Sequence, residues 1–143
     1  MHNAVVNALL KDGWEITDDP LSLYYGDRHL HVDLGARSHE EAIISFERGE
    51  VAIAVEIKSF GGPSLIAELE AAIGQFVLYN LLLEALETDR LLYLAIPVEA
   101  SQQLFAEPIG ELVLEKLSLR VVVIDCEFEE VLEWNPPPNI ATS

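Results

Sequence analysis

The spacing of hydrophobic residues along this chain indicates three helical segments. Residues 2–12 and 64–87 carry apolar side chains at steps of three and four, which predicts an amphipathic helix in each. A third helical segment, near residues 99–116, is interrupted by Pro108, which cannot continue an ordinary helix. The long segment 64–87 follows a Gly-Gly-Pro turn, and Ser64 is a candidate cap for it.

Short apolar runs bounded by turn residues predict strands between these helices. These runs are "WEIT", "VAIAVEIKSF", "RLLYLAIP", "SLRVVVIDCEF" and "EVLEW". The stretch "LSLYYGDRHLHVDL" predicts a β-hairpin with Gly26-Asp27 at its tip. In the mixed stretch "GARSHEEAIISFERGE", Ser38 is a candidate cap for a short helix and Gly49-Glu50 a candidate turn.

The order of these elements predicts one α/β domain with a mixed central β-sheet flanked by helices. A chain of 143 residues is the usual size of one domain and can bury a real core. We expect the domain to span residues 1–135 and residues 136–143 to form a flexible Pro-rich C-terminal tail.

Composition and charge restrict the location and the partners that we expect. The chain has 8 basic and 25 acidic side chains, a formal charge of −17, and its basic residues are scattered, which disfavours tight DNA binding by the isolated chain. An acidic surface suits metal ions and basic protein partners. Its one cysteine, Cys126, excludes an internal disulfide. No apolar run reaches the length of a membrane span and the N-terminus does not resemble a signal peptide, so we expect a cytoplasmic protein.

Charged residues stand where two predicted strands end. Asp33 ends "HLHVDL", while Glu56 and Lys58 share one face of "VEIKS". If the two strands are neighbours, the carboxylates of Asp33 and Glu56 converge with Lys58 beside them. Two carboxylates, a backbone carbonyl such as that of Ile57, and water suit Mg²⁺ or Mn²⁺. The alternative explanation is an ordinary buried Glu56–Lys58 salt bridge in a purely structural domain.

The long predicted helix adds two polar side chains to this group. Gln75 and Tyr79 in "GQFVLYN" are four residues apart and therefore lie on one helical face. A helix crossing the strand ends would aim both at the site. Taken alone, they are equally explained by a solvated glutamine and an aromatic residue at the edge of the core.

Other polar residues near these strand ends are weaker candidates for the site. His29 and His31 alternate with Asp33 on one strand face, a spacing that suits a transition metal, although hydrogen-bonded hairpin histidines explain them better. His31 is also a candidate partner that orients Asp33. Ser59 is a candidate phosphate contact, or else a turn residue.

These motifs carry a resemblance to two nested groups of proteins. Asp33, "EIK" at 56–58 and "QFVLY" at 75–79 resemble the PD-(D/E)xK nuclease superfamily, in particular its RecB-like branch. The ordered blocks "NAVVNALLKDGWEITDDPL", "VDLGA", "IAVEIKSF", "GQFVLYN", "LYLAIP" and "EPIGELVLE" resemble the XisH family, the fdxN-element excision controlling factors of cyanobacteria.

The resemblance implies a restriction-endonuclease-like fold and a role in excising a DNA element during heterocyst differentiation. It implies a XisI-like partner protein, with a separate recombinase, XisF, performing the recombination. Asp33 and Glu56 would be metal ligands, Lys58 the catalytic lysine, Gln75 an accessory residue and Tyr79 its companion. The predicted reaction is metal-dependent phosphodiester hydrolysis.

A non-catalytic function competes with this one. The nuclease fold would then be a scaffold whose acidic surface binds the partner protein. The complex, not this chain alone, would contact DNA. The −17 charge favours this scaffold, whereas the complete set of motif residues favours the enzyme. A homodimer is compatible with the apolar edges of the predicted sheet, but nothing in the spacing requires one.

Overall fold

The computed structural model describes residues 1–38 and 51–138, which form twelve helices and strands. Their bounds are α1 (His2–Lys11), β1 (Trp14–Asp18), β2 (Leu21–Tyr25), β3 (Arg28–Val32), β4 (Leu34–Ser38), β5 (Ala52–Ile57), α2 (Leu65–Ala85), β6 (Leu91–Pro97), α3 (Val98–Phe105), α4 (Pro108–Lys116), β7 (Val121–Asp125) and β8 (Glu130–Asn135).

Six of the strands form one mixed sheet in the order β1-β4-β5-β6-β7-β8. The central strands β5, β6 and β7 pair in parallel, whereas β4 pairs antiparallel with both β1 and β5, and β8 pairs antiparallel with β7. Within residues 1–38 and 51–138, strands β2 and β3 pair only with each other, as a separate antiparallel hairpin. The predicted class, a single α/β domain with a mixed central sheet flanked by helices, is confirmed.

Both faces of the central strands are buried, because helices cover the sheet on each side. Ala54 of β5 faces a core that includes Phe76 of α2, while its neighbours Ile53 and Val55 face a second core. The second core is closed by the apolar side of α1. This double coverage explains why β5–β7 are almost uninterrupted apolar runs in the sequence.

Most predicted elements are present close to their expected bounds. The helix expected at 64–87 is α2, and the Ser64 hydroxyl accepts a hydrogen bond from the Ala67 amide at 3.2 Å, as a helix cap does. The segment expected near 99–116 is two helices, α3 and α4, with Pro108 as the first residue of α4. The hairpin with Gly26-Asp27 at its tip is also confirmed.

Strand β4 is absent from the sequence prediction. Ser38 is the last residue of β4, and its hydroxyl accepts a hydrogen bond from the Val51 amide at 2.9 Å. The short helix that Ser38 is predicted to cap lies outside the described residues. The turn predicted at Gly49-Glu50 lies outside the described residues.

Helix α2 is, by length and composition, apolar enough to cross a membrane. The expectation that no apolar run reaches the length of a membrane span is therefore wrong. Core helices of soluble proteins meet the same criterion, and the side of α2 that carries Leu69, Phe76 and Leu83 packs in the domain core. The cytoplasmic location therefore stays a prediction.

The C-terminal segment is described only in part. The Pro136 carbonyl accepts a hydrogen bond of 2.6 Å from the Tyr93 hydroxyl, and Pro138 is buried. Residues 139–143 lie outside the described residues. The predicted boundary after residue 135 and the flexible tail at 136–143 stay predictions.

Candidate functional site

Strand β4 determines where Asp33 lies. Asp33 is the single residue between the end of β3 and the start of β4, where Leu34 stands opposite Val55 of β5. Since β4 and β5 run antiparallel, the residue before Leu34 lies beside the residue after Val55, which is Glu56. The sheet register therefore brings together two carboxylates that are 23 residues apart in the chain.

Two backbone amides hold these carboxylates in place. The Asp33 amide donates to Glu56 Oε1 at 3.2 Å, and the Ile57 amide donates to Asp33 Oδ2 at 2.8 Å. Each carboxylate is thus fixed by the backbone beside the other, and Asp33 Oδ1 and Glu56 Oε2 are not used by these two bonds. Two neighbouring carboxylates that are fixed in this way are oxygen donors of the kind that could hold a divalent cation.

Lys58 completes the charged group at the end of β5. Its Nζ lies 3.7 Å from Glu56 Oε2, and its side chain is 20% exposed against 9% for Glu56. The Lys58 amide donates to the Ala95 carbonyl at 2.9 Å, which holds the chain against β6 just after β5 ends. Lys58 is therefore fixed at its backbone, and its ammonium group lies beside Glu56 with part of the side chain exposed.

The carboxylate pair has an unusual protonation equilibrium. The pKa of Glu56 is raised from 4.5 to about 7, first by burial and then by the negative charge of Asp33. The hydrogen bond from the Asp33 amide and the positive charge of Lys58 both lower the pKa of Glu56, but they only partly offset the increase. Glu56 is the one charged or polar residue in the described ranges that counts as buried, at 7% exposure.

Helix α2 brings Tyr79 and Gln75 toward the same region. The pKa of Tyr79 is raised by its burial and then by the charges of Glu56 and Asp33, so its ring lies within electrostatic reach of both carboxylates. Gln75 stands one helical turn earlier on the same face. Its Oε1 is the one buried side-chain oxygen or nitrogen, among residues 1–38 and 51–138, that has no hydrogen-bond partner.

The remaining candidates lie at the surface. His31 is exposed on β3 and packs edge-to-face with His29 at a ring-centroid distance of 4.3 Å. Ser59 is exposed just after Lys58. Within the described ranges no three His, Cys, Asp or Glu side chains form a metal-binding group, so His29, His31 and Asp33 do not assemble the alternative transition-metal site.

The sequence does not reveal the two amides that anchor the carboxylates. The backbone N–H groups of Asp33 and Ile57 have no side-chain signature, and their roles follow from the register of β4 against β5. Correct prediction of β4 as the neighbour of β5 would have indicated them.

Comparisons with known proteins agree with this fold. A fdxN element excision controlling factor protein from Anabaena variabilis has a crystal structure with a TM-score of 0.79; it is 36% identical, over 93% of this chain and 95% of that one. A XisH family protein from Nostoc punctiforme PCC 73102 also gives 0.79; it is 34% identical, over 93% and 96% of the two chains. Comparison with curated proteins gives no match. The XisH protein family matches residues 1–132, and the chain therefore belongs to the XisH family.

Proposed function

We propose that this chain is a DNA-element excision controlling factor that carries a PD-(D/E)xK-type nuclease site and hydrolyses phosphodiester bonds with a divalent metal. The observation that carries the proposal is the pair Asp33 and Glu56, each fixed by a backbone amide, with Lys58 Nζ 3.7 Å from Glu56. Membership of the XisH family supports the excision role, because a member is described as an excision controlling factor.

The residues at this site fit Mg²⁺ or Mn²⁺. Asp33 Oδ1 and Glu56 Oε2 are hard oxygen donors, and the Ile57 carbonyl is a further candidate ligand. Burial and mutual repulsion keep Glu56 partly protonated near neutral pH, and a dication would remove the cause of that repulsion. Gln75 Oε1 is buried without a hydrogen-bond donor and therefore suits a bound water molecule. The metal would supply Lewis acidity toward water and phosphate.

The side chains around the carboxylates have separate roles in this proposal. The Lys58 ammonium stabilises negative charge on a phosphate and orients the attacking water. Gln75 accepts a hydrogen bond from that water, and the Tyr79 hydroxyl donates a hydrogen bond to a phosphate oxygen.

A non-catalytic scaffold is the second candidate, and the charge of the chain favours it. A formal charge of −17 repels the phosphate backbone. In this candidate function the acidic surface binds a XisI-like partner protein, and the complex, not the isolated chain, contacts DNA. A homodimer is compatible with either function.

A cleavage assay separates the two functions. Linear, nicked and branched DNA would be incubated with Mg²⁺ or Mn²⁺, with and without the partner, using the native chain, Lys58→Ala and Lys116→Ala. Lys116 is an exposed lysine of α4 and serves as the matched control. Cleavage that disappears in Lys58→Ala alone supports the nuclease. No cleavage under any condition, or equal cleavage by Lys58→Ala, would refute it.

A metal-binding measurement tests the site independently of turnover. Titration calorimetry with Mn²⁺ should show binding to the native chain and at least a roughly tenfold weaker affinity in Asp33→Asn. The asparagine side chain keeps an oxygen that can accept from the Ile57 amide, so the backbone contact survives while one anionic ligand is removed. Equal affinity in both proteins would exclude Asp33 as a ligand.

A further inference from the structure

The hairpin β2–β3 has one buried face and one exposed face. Leu21 and Leu23 pack into the core that α2 covers. On the exposed face, the register pairs Ser22 with His31 and Tyr24 with His29. The hairpin lies outside the six-stranded sheet, so this exposed face is not covered by any strand among the described residues.

The exposed face carries a preformed stack of flat side chains. Tyr24 is 64% exposed, and its ring lies parallel to that of His29, with a centroid distance of 4.2 Å and an interplanar angle of 10°. The ring of His31 packs edge-to-face against the ring of His29, with the ring centroids 4.3 Å apart. Cross-strand pairing fixes these rings before any ligand arrives, which reduces the entropy lost on binding.

The local charge also differs from that of the whole chain. Residues 21–32 contain a single carboxylate, Asp27, against Arg28 and two imidazoles, whereas the chain as a whole carries −17. An anionic ligand that the rest of the surface would repel is therefore tolerated at the hairpin. The two imidazoles add acceptors and donors for base edges and phosphates.

The hairpin leads directly into the proposed nuclease site. Asp33 follows β3 immediately, so His31 is two residues away, about 7 Å along an extended chain. A strand of nucleic acid with one phosphate at Lys58 would need only a few nucleotides to reach Tyr24.

We propose that the exposed face of the β2–β3 hairpin binds single-stranded DNA, with bases stacked on the Tyr24–His29 pair, and delivers the strand to the Asp33–Glu56–Lys58 site. The delivery rests on the proposed nuclease function, whereas the binding does not. Single strands fit because their bases expose π-faces, which a duplex hides in its stack.

Fluorescence anisotropy tests the binding in the absence of metal, so that no cleavage intervenes. The probe is a labelled oligothymidine of about 12 nucleotides in about 50 mM salt, compared with a duplex of the same length. Tyr24→Ala should weaken binding at least about fivefold, and Tyr24→Phe should retain it, because phenylalanine keeps the stacking face. Phe128→Ala is the matched control, since Phe128 is equally exposed, at 63%, on the turn before β8.

Three results would overturn the proposal. They are no binding by the native chain, equal binding by Tyr24→Ala, or tighter binding to the duplex. If instead Tyr24→Ala abolishes capture of a protein partner and leaves oligothymidine binding unchanged, the hairpin binds protein, and the proposal is wrong.

The Lys58→Ala variant distinguishes failure of this inference from failure of the nuclease proposal. If oligothymidine binding depends on Tyr24 but the chain never cleaves DNA, the hairpin proposal holds and the nuclease proposal fails. If cleavage depends on Lys58 but not on Tyr24, the nuclease proposal holds and the hairpin proposal fails.

Discussion

Replacing Glu56 with glutamine should stabilise the metal-free protein above neutral pH. Glu56 is 7% exposed and shares its surroundings with the carboxylate of Asp33, which is why its pKa is raised to about 7. Glutamine has nearly the same shape, and its oxygen can still accept from the Asp33 amide. The substitution therefore removes a buried charge without creating a cavity.

The pKa of Glu56 gives the size of the effect and its sign. Between 4.5 and about 7, the folded chain binds a proton at Glu56 that the unfolded chain has released, so the free energy of unfolding falls as pH rises through this range. The whole difference, at about 1.36 kcal/mol for each pKa unit, corresponds to about 3 kcal/mol. The attraction to Lys58 is already contained in this pKa, and solvent near the partly exposed Lys58 screens the charge, so we expect a gain of about 1–2 kcal/mol.

Urea unfolding monitored by tryptophan fluorescence measures this gain. Trp14 and Trp134 pack against each other with ring centroids 5.4 Å apart, so one cooperative transition should report on the core. The native chain and Glu56→Gln would be compared at about pH 4.5 and pH 8, on either side of the interval in which Glu56 titrates, in the presence of a chelator. Glu70→Gln is the control, because Glu70 is an exposed carboxylate of α2.

The two proteins should have similar free energies of unfolding at the lower pH and diverge toward the higher one, with Glu56→Gln the more stable. Glu70→Gln should show no such divergence. If Glu56→Gln is instead less stable than the native chain above neutral pH, the ion pair with Lys58 outweighs burial and the repulsion from Asp33, and the reasoning about this site is refuted.

Three further substitutions test the scaffold, each by urea unfolding at neutral pH. Ser64→Ala should cost about 1 kcal/mol because it removes the cap of α2, whereas Ser64→Asp should retain most of the stability; equal stability of all three proteins would contradict the cap. Arg90→Lys should cost about 2 kcal/mol, since lysine cannot reproduce a guanidinium that donates to the Ile53 carbonyl and to three other oxygens; an unchanged midpoint would show these bonds to be dispensable. Gly110→Ala should cost at least about 2 kcal/mol because the added methyl would collide with the Leu104 carbonyl, and a neutral result would mean that α4 shifts freely.

The sequence predicts the central strands and the long helix because their patterns are strong. Strand β4 is missing from the prediction because "LGARS" has few residues that favour strands and no clear alternation. Its place depends on tertiary packing. Gly35 lies where a side chain would collide with the guanidinium of Arg90 and the carboxylate of Asp18, and neither contact can be inferred from the local sequence.

The same omission affects the predicted site. The sequence predicts that Asp33 and Glu56 converge, but from pairing of β3 with the strand that bears Glu56. Among the described residues that condition is not met, since β3 pairs with β2, and it is β4 that places Asp33 beside Glu56. The prediction reaches the right pair because Asp33 stands at the junction of both strands. The burial that raises the pKa of Glu56 depends on packing between α2 and the sheet and has no local pattern.

A purely structural explanation of the charged group does not account for its second carboxylate. A buried Glu56–Lys58 salt bridge needs only one acid, and adding Asp33 raises the pKa of Glu56 and weakens the bridge. Asparagine at position 33 could accept the same bond from the Ile57 amide without this repulsion. A site that binds a dication gains from both negative charges. The repulsion between Asp33 and Glu56 therefore supports the proposed cation site over a purely structural salt bridge.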